Sequence, residues 1–451
     1  MSRCIMHIGM HKTGSTSIQS SLKGFSDDVF YYAEMPAGAN HSLAMISMFS
    51  DNPGQHHLHQ GKKPADIDKF ISLSWKSLQK SIKLANGRTL LISGEGISRL
   101  SYDNIKAIYK YLSENFDEIQ VVAYVRSPVG FMTSIFQESL KIIPRTNFII
   151  ESDYKNYRDI FGKFDDIFKL ENVQLWKFDP KSFPEGCVVQ DFCSRLGIAL
   201  PKQNIVRVNE SLSLQSVALL YIYRKFGLMF GSADLNGSES MKLGNAIKDI
   251  GNDRLRFSPE IFQPILKKKL LDIEWIENRL GQSFDEGGGQ STAHDIKNEA
   301  DLIQVGMDVA GKLLQLVGRP DSDMRLIQSP VSVAYLVGQL RQKLANKAPD
   351  TFKLLYGNVG LVTTLQVSGW AIGINPHLPV HVKIKVNGQV VGEQIANLLR
   401  PGLKDSGFHP TGICGFSFFF PDGQTLSAGD VVTVEIPDGS FMLTNSPYTM
   451  N

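Results

Sequence analysis

The stretch HIGMHKTGSTSIQ, His7 to Gln19, constrains this chain more than any other. The apolar residues Cys4, Ile5, Met6 and Ile8 read as a short buried strand, and Ile18 and Leu22 are spaced as one face of a helix. A strand that passes into a helix through Gly9 and Gly14 needs tight backbone turns, which glycine permits. Lys12 adds a cation, and Ser15, Thr16 and Ser17 supply hydroxyls beside the N–H groups that a first helical turn leaves without acceptors. Such a place binds a phosphate or sulfate. An ordinary Gly/Ser turn is the plain alternative.

The residue order separates this loop from a Walker A sequence, in which Lys directly follows the second Gly. Here the Lys precedes it, in the order Lys12, Thr13, Gly14, Ser15. A second strand-to-helix junction lies more than a hundred residues on, in QVVAYVRSPVGFMTSIFQESLK. Val121 to Val125 reads as a buried strand with Arg126 at its end. Pro128 suits a first helical turn, and Ser134 falls inside the helix that follows. A planar Arg fork and a Ser hydroxyl placed in this way could converge on one phosphate.

Between the two junctions, Thr89 to Ser93 reads as another buried strand and ends on Gly94, Glu95, Gly96. A carboxylate just beyond a parallel-type strand stands where α/β proteins place ligand chemistry. A turn or capping carboxylate is the equal alternative. Tyr31 to Lys63, rich in Gly, Asn, Pro and His, reads as a long excursion of the kind that carries site residues. Its His41 could touch an acceptor or serve as a loop histidine. The cluster His56, His57, His59 lacks a patterned Cys, Asp or Glu partner and reads as a solvated loop, so no metal is expected.

The Lys-Thr-Gly-Ser-Thr loop after an amino-terminal strand resembles the 5′-phosphosulfate loop of the sulfotransferases that use 3′-phosphoadenosine 5′-phosphosulfate (PAPS). The Arg126-Ser-Pro turn with Ser134 eight residues on resembles that family's 3′-phosphate site. The resemblance implies a P-loop-like parallel sheet flanked by helices, with PAPS as co-substrate and PAP as product. It implies that Lys12, Thr13, Gly14, Ser15, Thr16, Ser17, Arg126 and Ser134 hold the donor. It also gives Glu95 the role of base toward an acceptor hydroxyl, which puts it beside the acceptor that His41 could also touch, and the chemistry gives Lys12 the role of charge stabiliser. Burial is expected to raise the Glu95 pKa toward neutrality. Asn209 to Ser211 is similar to a turn in bacterial members, and Arg254, Arg256 and Ser258 are the nearest candidates for the adenosine side.

At 451 residues the chain exceeds one ordinary core. Its 42% apolar and 20% charged residues describe a globular protein. A net charge of +2 gives no global attraction to nucleic acid or anionic membrane. No secretory leader is expected from the start MSRCIMHIGMHK, and no run reaches the roughly 18 apolar residues of a span. Four cysteines without CxxC spacing read as buried thiols. Together these point to the cytoplasm.

The expected organisation is a donor-binding domain over residues 1–330, a helical linker over 331–350 and an all-β sandwich over 351–451. In the last segment Asn387-Gly388 marks a hairpin turn between alternating strands. The GWAI, VNGQVVG and GFSF segments resemble a module attached to bacterial glycosyltransferases and surface-polysaccharide enzymes. That resemblance implies a glycan hydroxyl as acceptor. Two rival readings are a P-loop kinase, which requires magnesium and an acidic strand-end ligand, and a non-catalytic carbohydrate-binding protein on the same scaffold.

Overall fold

The computed structural model describes residues 2–56, 59–142, 145–207, 212–227, 232, 237–284, 295–327, 329–346, 355–373, 378–406, 408–409, 411–421, 425–437, 439 and 441–450. The chain divides into two compact units, one of 1–136, 149–211 and 258–292 and the other of 137–148, 212–257 and 293–451. This division does not follow the boundaries expected at 330 and 350.

The first unit is built on β1 (Arg3–His7), α1 (Ser15–Leu22), β2 (Phe30–Tyr32), α2 (Ser42–Phe49), α3 (Pro64–Ala85), β3 (Thr89–Ser93) and α4 (Tyr102–Ser113). These are followed by β4 (Glu118–Val125), α5 (Pro128–Ile142), whose residues from Gln137 on belong to the second unit, α6 (Tyr157–Phe168), β5 (Val173–Lys177) and α7 (Val188–Leu196). The five strands form one parallel sheet in the order β2-β3-β1-β4-β5. β4 reads as a continuous apolar run because seven of its eight residues are buried, as befits a strand covered on both faces. On one face, Ile18 and Leu22 of α1 and Val189 and Phe192 of α7 pack on Ile5, Leu91, Val122 and Tyr124. α4 and α6 pack on β4 from their own buried stripes, Ile105, Ile108 and Leu112 and then Phe161, Phe164 and Phe168.

β1 is central, with β3 on one side and β4 on the other, His7 standing in register with both Ser93 and Val122. The carboxyl ends of the strands that lead to Lys12, Glu95 and Arg126 are therefore neighbours. Strand order reverses about β1, and the crevice at such a point is where open α/β sheets bind ligands.

The excursion after α1 is more ordered than expected, since it contains β2 and α2. β2 is three residues long, and six of the eight α2 residues are buried, so neither shows a two- or 3.6-residue alternation. Among the described residues, no helix is long and apolar enough to cross a membrane. All four cysteines are buried thiols.

In the second unit, α8 (Leu214–Phe226) packs against the helix Pro330–Leu344, every residue of which from Val331 to Leu340 is buried. The segment expected as a linker helix thus belongs to a helical core. Arg224 lies within α8 at 1% exposure and donates to three carbonyls, Leu140 O at 2.9 Å, Ser232 O at 2.8 Å and Lys141 O at 3.2 Å. Replacing it would strand acceptors that cannot reach water. Arg224→Met is expected to cost about 2–4 kcal/mol, read as a lowered urea midpoint; an unchanged midpoint would show the carbonyls to be satisfied by other means.

The C-terminal strands are β6 (Leu355–Val362), β7 (Gln366–Gly373), β8 (Val380–Val386), β9 (Gln389–Ala396), β10 (Leu398–Leu399), β11 (Ile413–Phe419), β12 (Val431–Glu435) and β13 (Tyr448–Thr449). They form two antiparallel sheets, β10-β11-β7-β6 and β13-β12-β8-β9. Val359, Val367, Phe416, Val382, Ile384, Val432 and Val434 from the two sheets share one core. The β8–β9 turn has φ 49° at Asn387 and 83° at Gly388, both in the left-handed region that an Asn-Gly hairpin requires.

Candidate functional site

Hydrogen bonding between β1 and β4 continues past the named strand. Ile8 N donates to Val122 O at 3.0 Å, Met10 N to Tyr124 O at 2.9 Å, and Tyr124 N to Gly9 O at 2.7 Å. The chain then turns sharply, with φ of 65° at Lys12 and 78° at Gly14. A Cβ on Gly14 would stand 2.6 Å from Val188 Cγ1, so both the backbone angle and the packing call for glycine. Thr13 Oγ1 donates to Met10 O at 2.6 Å and Ser15 Oγ reaches the same carbonyl at 3.5 Å, bracing the loop from inside. The N–H groups of Ser17 and Ile18 both return to Gly14 O. The N-cap of α1 is Gly14, which has no side chain to cap the N–H groups ahead of them. Thr16 is exposed beside them, while Ser15 and Ser17 are buried.

Glu95 opens a short 3-10 helix, Glu95–Arg99. Its flanking glycines admit the start of α2: a Cβ on Gly94 would lie 2.7 Å from Ser42 N, and one on Gly96 2.8 Å from Ile46 Cδ1. Gly96 N donates to Ser42 Oγ at 2.9 Å, and Lys163 Nζ fastens the other end of the turn by donating to Ser98 O and Leu100 O. Gly9 presses against the same turn, because a Cβ there would stand 2.8 Å from Glu95 Cβ. Both carboxylate oxygens are engaged. Gln19 Nε2 donates to Oε2 at 2.8 Å, and Asn40 Nδ2 to Oε1 at 3.0 Å.

These donors bear on the protonation state of Glu95. Burial alone would raise its pKa; the Gln19 amide, a backbone N–H and the nearby His11 and His7 outweigh it and hold the pKa below the ordinary glutamate value. The expected rise toward neutrality is therefore overturned, and Glu95 is ionised at neutral pH. His7 and His41 are the reverse case, since burial pushes both imidazoles down to about 4.

His41 does not lie open to an acceptor. It has 0% exposure, its Nδ1 accepts from Ser93 N at 3.0 Å, its backbone N–H donates to Ser93 O at 2.9 Å, and its ring packs on Tyr32. From the other side His7 Nδ1 lies 2.8 Å from Ser93 Oγ. Two core histidines thus clamp the end of β3 directly ahead of Glu95.

Arg126 meets the loop from β4. Its Nη1 donates to Lys12 O at 2.7 Å, its guanidinium lies 5.5 Å from the Phe178 ring centroid, and its own carbonyl accepts from Tyr157 OH at 2.7 Å. Gly130 leaves room for it, since a Cβ there would lie 3.2 Å from Arg126 Nε. Ser134 continues that i, i+4 row on α5 and is half-buried.

The structure joins Lys12 to Arg126, and the loop to Glu95. Asn209 to Ser211 lies outside the described residues, as does His57. His59 is a core residue with Nε2 2.8 Å from Ser47 Oγ, and Arg256 pairs with Asp295 at 3.3 Å. Among the described residues, no group of three or more His, Cys, Asp or Glu is arranged to hold a metal ion. Gln19, Asn40, His7 and His11 carry much of the site and were not singled out from the sequence. Gln19 had a signal, as a polar residue four positions after Ser15 on the face of α1 that turns inward.

No family model matches the chain. It is 24% identical over 136 residues to an uncharacterized protein of Archaeoglobus fulgidus; the match covers 30% of this chain and 37% of that one, so the chain spans little more than a third of its relative's length. A solved sulfotransferase from Alicyclobacillus acidocaldarius aligns with 62% of this chain and 96% of its own, at 12% identity and a TM-score of 0.31.

Proposed function

We propose that this protein transfers a sulfuryl group from PAPS to a hydroxyl, the acceptor being a carbohydrate or polysaccharide precursor. One observation carries the reading: a single glycine-turned loop is tied to Arg126 through Lys12 O and to Glu95 through Gln19. An anion-binding loop, a cationic fork and an ionised carboxylate are what a donor phosphosulfate and an acceptor hydroxyl require.

The residues fit the donor. An α-helix start without a side-chain cap, preceded by a lysine in a left-handed turn, suits a 5′-phosphosulfate. Arg126, just ahead of α5, and Ser134, on it, suit a separate 3′-phosphate. Sulfuryl transfer depends on positioning and charge stabilisation, as phosphoryl transfer does. Lys12 and the positive end of α1 stabilise the charge that grows on the bridging oxygen as its bond to sulfur breaks. Glu95 accepts the acceptor's proton, held in place by Gln19 and Asn40. The carbohydrate acceptor is supported by the resemblance of the C-terminal strands to modules on polysaccharide enzymes.

Calorimetric titration with PAP, and separately with ADP and magnesium, tests the donor. PAP is expected to bind, and Arg126→Ala to weaken it roughly 10- to 100-fold, with Arg126→Lys recovering only part because it lacks the planar fork. Preference for magnesium ADP would replace this reading with a kinase, and silence toward both with a binding scaffold.

A further inference from the structure

Around Glu95 several buried side-chain atoms meet no hydrogen-bond partner among the described residues, including the Nε2 atoms of His7, His41 and His11. His7 and His41 each spend their other ring nitrogen on Ser93 and lie wholly inside the core. His11 takes no part in that clamp. Its buried Nε2 meets no partner among the described residues, and the residue is only partly enclosed.

A Cβ on Gly9 would stand 2.8 Å from Glu95 Cβ, so the loop and the Glu95 turn meet two residues ahead of His11. The charges around it are Arg99 and Lys12 on the positive side and Glu95 on the negative side. Burial, then Arg99, hold the imidazole neutral, at about 4. A neutral ring whose buried Nε2 meets no partner among the described residues, close enough to both Lys12 and Glu95 to feel their charge, is suited to meet a ligand oxygen.

We propose that His11 touches the reacting group itself, donating a ring N–H hydrogen bond to an oxygen of the sulfuryl group as it moves from donor to acceptor. This rests on the sulfotransferase reading above. The bond from sulfur to the phosphate oxygen breaks and leaves its electron pair there; the bond from sulfur to the acceptor oxygen forms, and the acceptor's proton goes to Glu95. His11 transfers no proton. It orients the group between the two oxygens, which a backbone loop alone does less rigidly.

PAPS and PAP differ by that sulfuryl group, so their affinities isolate the contact. Titration of the full chain with each ligand is expected to show His11→Ala weakening PAPS about 10-fold while PAP changes less than about twofold. His11→Gln, whose amide nitrogen can reach the Nε2 position, should recover most of the PAPS affinity. His11→Phe keeps the ring volume and replaces the alanine variant should that one fail to fold. Slow hydrolysis of PAPS by water, followed as PAP release, should fall with the PAPS affinity. Equal weakening of both ligands would show that His11 only shapes the loop, and no change in either would show that it touches nothing; each result overturns the proposal. Failure of the unaltered protein to bind PAP would instead overturn the sulfotransferase reading.

Discussion

Glu95→Gln is expected to lower PAPS turnover onto an acceptor hydroxyl by about 10²- to 10⁴-fold, the usual contribution of a positioned base, while PAP affinity stays within about threefold. The substitution suits the test because the site can absorb it. Glutamine in place of the carboxylate would confront an incoming amide donor, but the buried Gln19 Oε1 meets no partner among the described residues, and a flip of the Gln19 amide turns that oxygen toward the new N–H. A loss of turnover with folding intact is then a loss of proton acceptance. Unchanged turnover would remove Glu95 from the chemistry. The lowered pKa adds a pH signature. Glu95 stays ionised until the pH falls below the ordinary value of 4.5, so the acid limb of kcat/KM should lie below that value. A limb near neutrality would assign the base elsewhere.

Acid is expected to destabilise the first unit between pH 6.5 and about 4 by several kcal/mol. His7 and His41 are buried neutral, with pKa values lowered from 6.5 to about 4. Between those values the unfolded chain binds protons that the folded one refuses, so stability rises with pH through the window, is complete above 6.5 and is lost as pH falls toward 4. Each histidine contributes on the order of 3 kcal/mol at most. Glu95 acts in the same sense at lower pH, its carboxylate contributing above the unfolded pKa and ceasing to as pH falls through the lowered folded one. Denaturant midpoints recorded from pH 7.5 to 4.5 check this. His7→Asn, which leaves a polar atom near Ser93 Oγ, should flatten the slope without abolishing it, since His41 and His11 are shifted in the same direction; a flat midpoint in the unaltered protein would mean that these rings find proton acceptors inside the fold.

The parts on which the proposed site draws could be read from the chain because they are local. A strand, two glycines, a lysine and a run of hydroxyls leave few options for His7 to Gln19, and the Asn387-Gly388 hairpin follows from the φ angles its turn demands. Glu95 and Arg126 were legible as residues at the carboxyl ends of apolar strands. Other parts were illegible for physical reasons. β2 is too short and α2 too uniformly buried to show a period, and the burial of the helix Pro330–Leu344 depends on what packs around it. Gln19 and Asn40 became site residues only when Glu95, 76 and 55 residues away, came within hydrogen-bonding distance.

The chemical inventory was present in the chain alone: a glycine-turned loop carrying a lysine and hydroxyls, and a carboxylate and an arginine each closing a buried strand. Those follow from backbone sterics and apolar patterning, which act over a few residues. Only the folded chain shows that β1 lies between β3 and β4, that His41 turns inward to hold Ser93, and that hydrogen bonds to Glu95 outweigh its burial and lower its pKa. Strand order and the balance between burial and hydrogen bonding are set by residues distant in the chain, and no local pattern encodes them.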